Sequence, residues 1–397
     1  MENLVRKSNT KIYDVTTKFS RYLLSQITEK NRLTIVKGAR GVGKTTLLLQ
    51  YAKKQKENGR EVLYVALDDL FFQENTLYDL AIEFVKYNGQ FLLLDEVHKY
   101  PNWSRELKLI YDDLPKLNLF VTSSSILEIY ESESDLSRRA VSFLLKELSF
   151  REFLIFEQKL SINAITLDEL ISDHEDISFQ VNQKIKPLYE FKKYLEYGMY
   201  PYYWENPLAF SDKLIRTLHL SLEVDLPAVE FIEYYHILKL KKLLFAISTS
   251  VPFTPNISKL SERIGMSRKA LIKALHYLDR ARLITLLAKS NKGISILGKP
   301  DKILMNNPNI QKVLHPSITD FGAVRESFLV HQIKDLYEIS MPPKGDFWVN
   351  EKYTLEVGGK HKSRKQIKDI TNAYVVKDNI ETGVDQVIPL WMFGLLY

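Results

Sequence analysis

Few features restrict a fold as tightly as the run Gly38-Ala39-Arg40-Gly41-Val42-Gly43-Lys44-Thr45-Thr46. It has the pattern G-x-x-x-x-G-K-[ST] of a phosphate-binding loop. Arg32 to Lys37 before it is short, apolar and β-branched, which predicts a buried strand; Thr46 to Lys54 after it predicts a helix. Strand, glycine loop and helix N-terminus together make an anion cradle. Gly38, Gly41 and Gly43 are expected to supply positive φ and a close backbone approach. Lys44 is placed to reach the β/γ oxygens of a nucleotide, and the Thr45 hydroxyl to ligate Mg²⁺. Residues Gly38 through Thr46 are therefore the expected ATP-binding segment.

A second stretch completes this chemistry. Phe91-Leu92-Leu93-Leu94 ends in Asp95-Glu96, which reads as a buried parallel strand with carboxylates at its C-terminal end, where open α/β sheets bind ligands. Asp95 would hold Mg²⁺ through water, and Glu96 would act as the base for a water attacking the γ-phosphate. Further strands are expected at Glu61 to Leu67, Leu117 to Thr122 and Val141 to Leu148. Helices are expected at Thr76 to Tyr87 and Trp103 to Leu114, with another carrying Phe19, Tyr22, Leu23 and Ile27 into the first strand. This alternation predicts a parallel sheet flanked by helices. Ser123-Ser124-Ser125 suits either a hydrogen bond to the γ-phosphate or a helix cap. Arg138-Arg139 suits either an arginine finger or a surface pair.

Composition narrows the setting. The 397 residues are 45% hydrophobic and 26% charged, an ordinary globular balance that predicts several domains. There is no cysteine, which excludes disulfides, zinc-thiolate sites and cysteine catalysis and suits a reducing cytoplasm. Met1 to Arg21 lacks an apolar signal core, and no run approaches the roughly eighteen apolar residues of a membrane span, so a cytoplasmic protein without membrane insertion is expected. A net charge of +6 permits nucleic-acid contact without requiring it.

Beyond the sheet, Ser149-Phe150-Arg151-Glu152 is a capping box that opens a helical region. The aromatic group from Tyr200 to Trp204 reads as core. After a proline-bearing linker at 251–256, Ile257 to Ile264, Gly265-Met266 and Ser267 to Asp279 form a helix-turn-helix pattern. Ala281 to Ser290 with Gly293 to Leu297 suits a wing. Arg268, Lys269, Lys273 and Arg280 on the second helix suit phosphate contacts, with protein contact the alternative. Near the end, Glu326 falls in a helix (Val324 to Tyr337), while Asp346 and Glu356 fall on neighbouring strands, where two carboxylates could share a divalent metal. Lys360, Lys362, Arg364, Lys365 and Lys368 make a basic run that suits either a solvated face or a nucleic-acid groove.

Several of these stretches resemble one family. The phosphate loop, Leu94-Asp95-Glu96-Val97-His98, Thr122-Ser123-Ser124-Ser125, Arg138-Arg139 and Leu148 to Phe153 are similar to the prokaryotic AAA-superfamily ATPases with a C-terminal region of the DUF4143 type. The resemblance implies Asp95 on Mg²⁺, Glu96 as catalytic glutamate, Ser124 as sensor and Arg139 as finger. The family carries glycine where this chain has Ser123 and Arg138, which sets the sensor and finger assignments to within one residue. Gly198 and Pro201 match a further family stretch. The implied α/β architecture is a P-loop ATPase of AAA type at 1–150, a helical lid at 151–250, a winged helix at 251–315 and a PD-(D/E)XK nuclease-like domain at 316–397. The nuclease signature places lysine two residues after the glutamate; this chain has Gly358 there and Lys360 two further on. The expected function is ATP–Mg²⁺ binding and hydrolysis coupled to the later domains. The alternatives are a nucleotide-gated module that binds nucleic acid or protein, and a metal-dependent nuclease. A homo-oligomer or a partner protein is compatible with either.

Overall fold

The computed structural model describes residues 1–123, 136, 138–229, 233–249, 254–289, 298–317 and 321–397. The chain divides into two compact units, Met1–Glu147 with Val224–Phe231, and Leu148–Glu223 with Ile232–Tyr397.

The first unit is built on five parallel strands: β1 (Leu33–Lys37), β2 (Val62–Ala66), β3 (Phe91–Asp95), β4 (Asn118–Ser123) and β5 (Ala140–Leu144). Their order is β2-β3-β4-β1-β5. Every residue of β1 and β3 is buried, as continuous apolar strands covered on both faces must be. The order places β1 beside β4 and β4 beside β3, so the C-terminal ends of these three strands gather at one edge. Helices α1 (Glu2–Asp14), α2 (Lys44–Glu57), α3 (Leu77–Lys86) and α4 (Trp103–Asp113) accompany the sheet. Leu47 and Leu48 of α2 and Leu92 and Leu94 of β3 are wholly buried; truncating one such leucine to alanine costs about 2–5 kcal/mol.

The expected helix over Phe19 to Ile27 is not formed. The helix lies earlier, at Glu2–Asp14, where Leu4, Ser8 and Ile12 recur at helical spacing and are buried. Ser8 Oγ there accepts from the Tyr64 N–H at 2.9 Å. Around Arg21 the backbone is extended, and only a 3-10 turn, Tyr22–Ser25, follows. The reason is the Arg21 guanidinium. It is buried and donates to the carbonyls of Val42 at 2.5 Å, Lys146 at 2.7 Å and Glu147 at 3.2 Å. It thereby ties the phosphate loop to the chain leaving β5.

The second unit begins with the expected capping box. Ser149 Oγ accepts from the Glu152 N–H, and the Glu152 carboxylate accepts from the Ser149 N–H. The helix it opens, Phe150–Phe156, sets Phe150 and Phe153 among Phe191, Tyr194 and Trp391. Tyr200 and Tyr203 are buried here, whereas Trp204 is exposed. Ile257–Ile264 and Arg268–Arg280 form the helix-turn-helix; Gly265 ends the first helix at φ 70° and Ser267 caps the second. A strand, β6 (Ile284–Leu287), falls within the expected first arm Ala281 to Ser290, and its partner is β7 (Lys302–Met305), antiparallel, beyond the expected second arm; residues 293–297 lie outside the described residues. A mixed sheet follows, β8 (Ile339–Ser340), β9 (Phe347–Val349), β10 (Tyr353–Gly358), β11 (Ala373–Lys377) and β12 (Val387–Pro389), ordered β12-β11-β10-β9-β8. Among the described residues no helix is long and apolar enough to cross a membrane.

Candidate nucleotide site

The phosphate loop joins β1 to α2, whose first residue is Lys44. Gly41 and Gly43 hold φ of 82° and 95°, the left-handed region that favours glycine. Gly38 is needed for a different reason from the one expected. Its φ is not positive; a Cβ there would stand 2.5 Å from the Leu145 carbonyl oxygen. The loop therefore requires backbone proximity at its first glycine and chirality at its last two.

Lys44 is buried, and its ammonium donates to the carbonyls of Gly38 at 2.9 Å and Ala39 at 2.8 Å. Burial lowers its pKa to about 8, against the opposing pull of Glu96, Asp95 and Asp225. Thr45 Oγ1 donates to Asp95 Oδ2 at 2.8 Å. Tyr64 Oη donates to the same oxygen at 2.9 Å, and the Thr122 hydroxyl donates to Oδ1. Burial, and then the Asp95 charge, raise the Tyr64 pKa, so its phenol stays a donor. Thr45 and Asp95 offer a hydroxyl and a carboxylate side by side, the hard oxygen donors that Mg²⁺ takes.

Glu96 follows β3 with φ 57°. A non-glycine residue in this region is strained by about 1–2 kcal/mol, and such strain collects at sites that need a side chain aimed in one direction. The Glu96 carboxylate lies 3.4 Å from Lys99 Nζ and 3.7 Å from His98 Nε2. His98 Nδ1 is 3.1 Å from Ser123 Oγ, and burial depresses its pKa, so the ring is neutral at pH 7. Arg40, in the loop itself, makes a two-pronged pair with Asp225: Nε to Oδ2 at 2.9 Å and Nη2 to Oδ1 at 2.7 Å.

The structure thus gathers Gly38, Ala39, Arg40, Gly41, Val42, Gly43, Lys44, Thr45, Asp95 and Glu96 at one sheet edge. Thr46 is exposed in the first turn of α2. Ser124, the expected sensor, lies outside the described residues. Arg139 is bound on the surface to Asp112, at 2.9 and 2.8 Å. Sequence reasoning did not single out Tyr64, His98 or Asp225. His98 had a signal, since it stands two residues beyond Glu96. Tyr64 and Asp225 had none, being brought to the site only by strand pairing and chain return.

In the second unit, Asp346 and Glu356 are neighbours across β9 and β10, whose register pairs Phe347 with Leu355. Asp346 Oδ2 accepts from the Val357 N–H at 2.7 Å. Glu356 is fully buried, and its Oε1 is 2.5 Å from Lys362 Nζ. The lysine that meets Glu356 is thus Lys362. Gly358 leaves it room, because a Cβ there would lie 2.6 Å from Lys362 Cβ and Cγ. Glu326 pairs with Lys302 at 2.6 Å. Among the described residues no group of three or more acidic, histidine or cysteine side chains is arranged to hold a metal ion. Here Glu356 and Glu326 each face an ammonium group, and Asp346 accepts from a backbone amide. Arg268, Lys269, Lys273 and Arg280 are exposed on their helix.

Residues 30–154 match a family described as AAA domain. An uncharacterized protein of Methanocaldococcus jannaschii is 27% identical over 373 residues, covering 85% of this chain and 78% of its own length. Among solved structures, AMPPCP-bound DnaA from Aquifex aeolicus is similar over 65% of this chain and 84% of its own, at 16% identity and a TM-score of 0.26. C. elegans PCH-2 is similar over 40% and 44%, at 19% identity and a TM-score of 0.25. The family match over residues 30–154 and the loop geometry, rather than these distant superpositions, carry the conclusion that this stretch is similar to an AAA domain.

Proposed function

We propose that the protein binds ATP with Mg²⁺ at this loop, hydrolyses it, and uses the nucleotide state to control its second unit. The observation that carries the reading is the joining of Lys44, the Thr45–Asp95 pair and a strained Glu96 at one sheet edge. Loop amides and Lys44 would hold the phosphates. Thr45 directly, and Asp95 through water, would hold the ion, which supplies charge neutralisation on the phosphate oxygens. Glu96 would take a proton from the attacking water as the new P–O bond forms. The bond from γ-phosphorus to the β,γ-bridging oxygen breaks, leaving ADP and phosphate. Ser124 as sensor and Arg139 as finger belong to this proposal; Arg139 would have to leave Asp112 to act on a neighbouring subunit's nucleotide.

Beyond the ATPase domain we propose a lid at 151–250, a winged helix at 251–315 and a nuclease-like domain at 316–397 that binds nucleic acid or protein without cutting. Gly358 at the position where the nuclease signature places its lysine supports binding over cleavage. If turnover is negligible, the protein is a nucleotide-gated binding module instead.

The test is turnover and nucleotide affinity of purified protein. Lys44→Ala should abolish binding at micromolar ATP while the fold persists. Glu96→Gln should bind ATP and slow hydrolysis by about 10²-fold or more. Tight ATP binding by a folded Lys44→Ala protein would refute the site, and wild-type turnover by Glu96→Gln would remove Glu96 from its role.

A further inference from the structure

Arg40 is a guanidinium inside a phosphate loop, yet its partner is a carboxylate from far along the chain. Asp225 ends the π-helical turn Ser221–Asp225 and precedes the single helical turn Leu226–Val229. The stretch Val224–Phe231 belongs to the first unit, whereas the chain on either side of it belongs to the second. Both Asp225 oxygens are used by Arg40, and the Asp225 side chain is only 6% exposed. The hydrogen bonds that Arg40 donates to Asp225 also raise the Arg40 pKa, so the guanidinium is permanently charged.

The same carboxylate lies 3.9 Å from His98 Nε2, which in turn lies 3.7 Å from Glu96. His98 is neutral and does not offset either acid. The loop's surroundings therefore hold Asp95, Glu96 and Asp225 against Arg40, Lys44 and Lys99, with Lys99 lying on Glu96 and not on Asp225. A guanidinium fork fits a phosphate as well as it fits a carboxylate, and a polyphosphate carries the greater charge. Asp225 and a phosphate cannot share the fork without like-charge repulsion. A buried carboxylate stripped of both hydrogen bonds is costly to leave in place, so its stable course is outward to water.

We propose that Asp225 competes with the nucleotide's phosphates for Arg40, so that nucleotide occupancy releases the stretch around Asp225 and reports the loop's state to the chain on either side. Asp225 is a positioning residue on this account. The inference rests on the nucleotide reading above and adds to it the element that responds.

The test combines hydrogen exchange of the wild-type peptide 221–229, with and without saturating ATP–Mg²⁺, with titration of a fluorescent ATP analogue into wild type and Asp225→Asn. The expected results are exchange about tenfold faster with ATP in wild type, and ATP binding about tenfold tighter in Asp225→Asn, since one charged hydrogen-bonding competitor is removed. Unchanged or slower exchange in a wild type that binds ATP would overturn the proposal and leave the nucleotide site intact. Equal or weaker ATP binding by a folded Asp225→Asn would also overturn it. A wild type that binds no nucleotide would sink the nucleotide reading, and this proposal with it.

Discussion

Nucleotide binding should carry a proton with it in mildly alkaline solution, and Lys44 is the reason. Burial holds its pKa at about 8, below the ordinary lysine value of about 10.4. Phosphates placed against the ammonium favour its charged form and return the pKa towards that ordinary value. The sign follows from linkage: the occupied site binds the proton more tightly, so raising the pH weakens nucleotide binding. At pH 8.5 the free loop is about one-quarter protonated and the occupied loop almost fully, so about 0.7 proton is taken up for each nucleotide bound. At pH 7 the uptake falls to about 0.1, and between pH 7 and pH 9 the affinity should drop about tenfold. Calorimetry in buffers of differing ionisation enthalpy measures the uptake directly. Binding heats independent of buffer at pH 8.5, with affinity flat from pH 7 to 9, would refute the claim that a half-neutral Lys44 waits at the loop. Arginine at position 44 cannot lose its proton and should abolish the uptake in any variant that still binds.

Other consequences are open to direct measurement. If Arg139 acts on a neighbouring subunit, specific ATPase activity should rise with protein concentration, and Arg139→Ala should flatten that rise; a strictly monomeric protein with full activity removes the trans role. Labelled linear, branched and single-stranded DNA and RNA should remain uncut with Mg²⁺ or Mn²⁺, with and without ATP, and any binding through the basic run Lys360 to Lys368 should weaken steeply with salt. Cleavage that disappears in Glu356→Ala would place a catalytic metal at Asp346 and Glu356 after all. Lys362→Ala leaves a buried carboxylate without its ammonium partner and, with that lysine partly exposed, should destabilise the protein by about 3 kcal/mol in denaturant unfolding. Gly198→Ala places a Cβ 2.7 Å from the Phe153 ring and the Tyr194 backbone, and should cost about 1–3 kcal/mol.

The sequence by itself determined what depends on short spacing. The phosphate loop between strand and helix, the carboxylates at the end of β3, the Ser149 capping box and the turn at Gly265 are each specified by residues within a few positions of one another, where backbone preference and hydrogen-bond reach decide the outcome. The alternation of apolar strands and amphipathic helices likewise carried the parallel sheet, because burial on both faces writes itself as continuous hydrophobic runs. Tertiary structure alone decided everything that needs distant segments to meet. The strand order brings Tyr64 and Thr122 onto Asp95. Arg21 bends the chain away from the expected helix to bind carbonyls more than a hundred residues away. Lys362 reaches Glu356 from beyond the expected motif position because Gly358 leaves space for its stem. Asp225 meets Arg40 across 185 residues of chain. A side chain's partners at such separations are set by packing, and no local propensity encodes them.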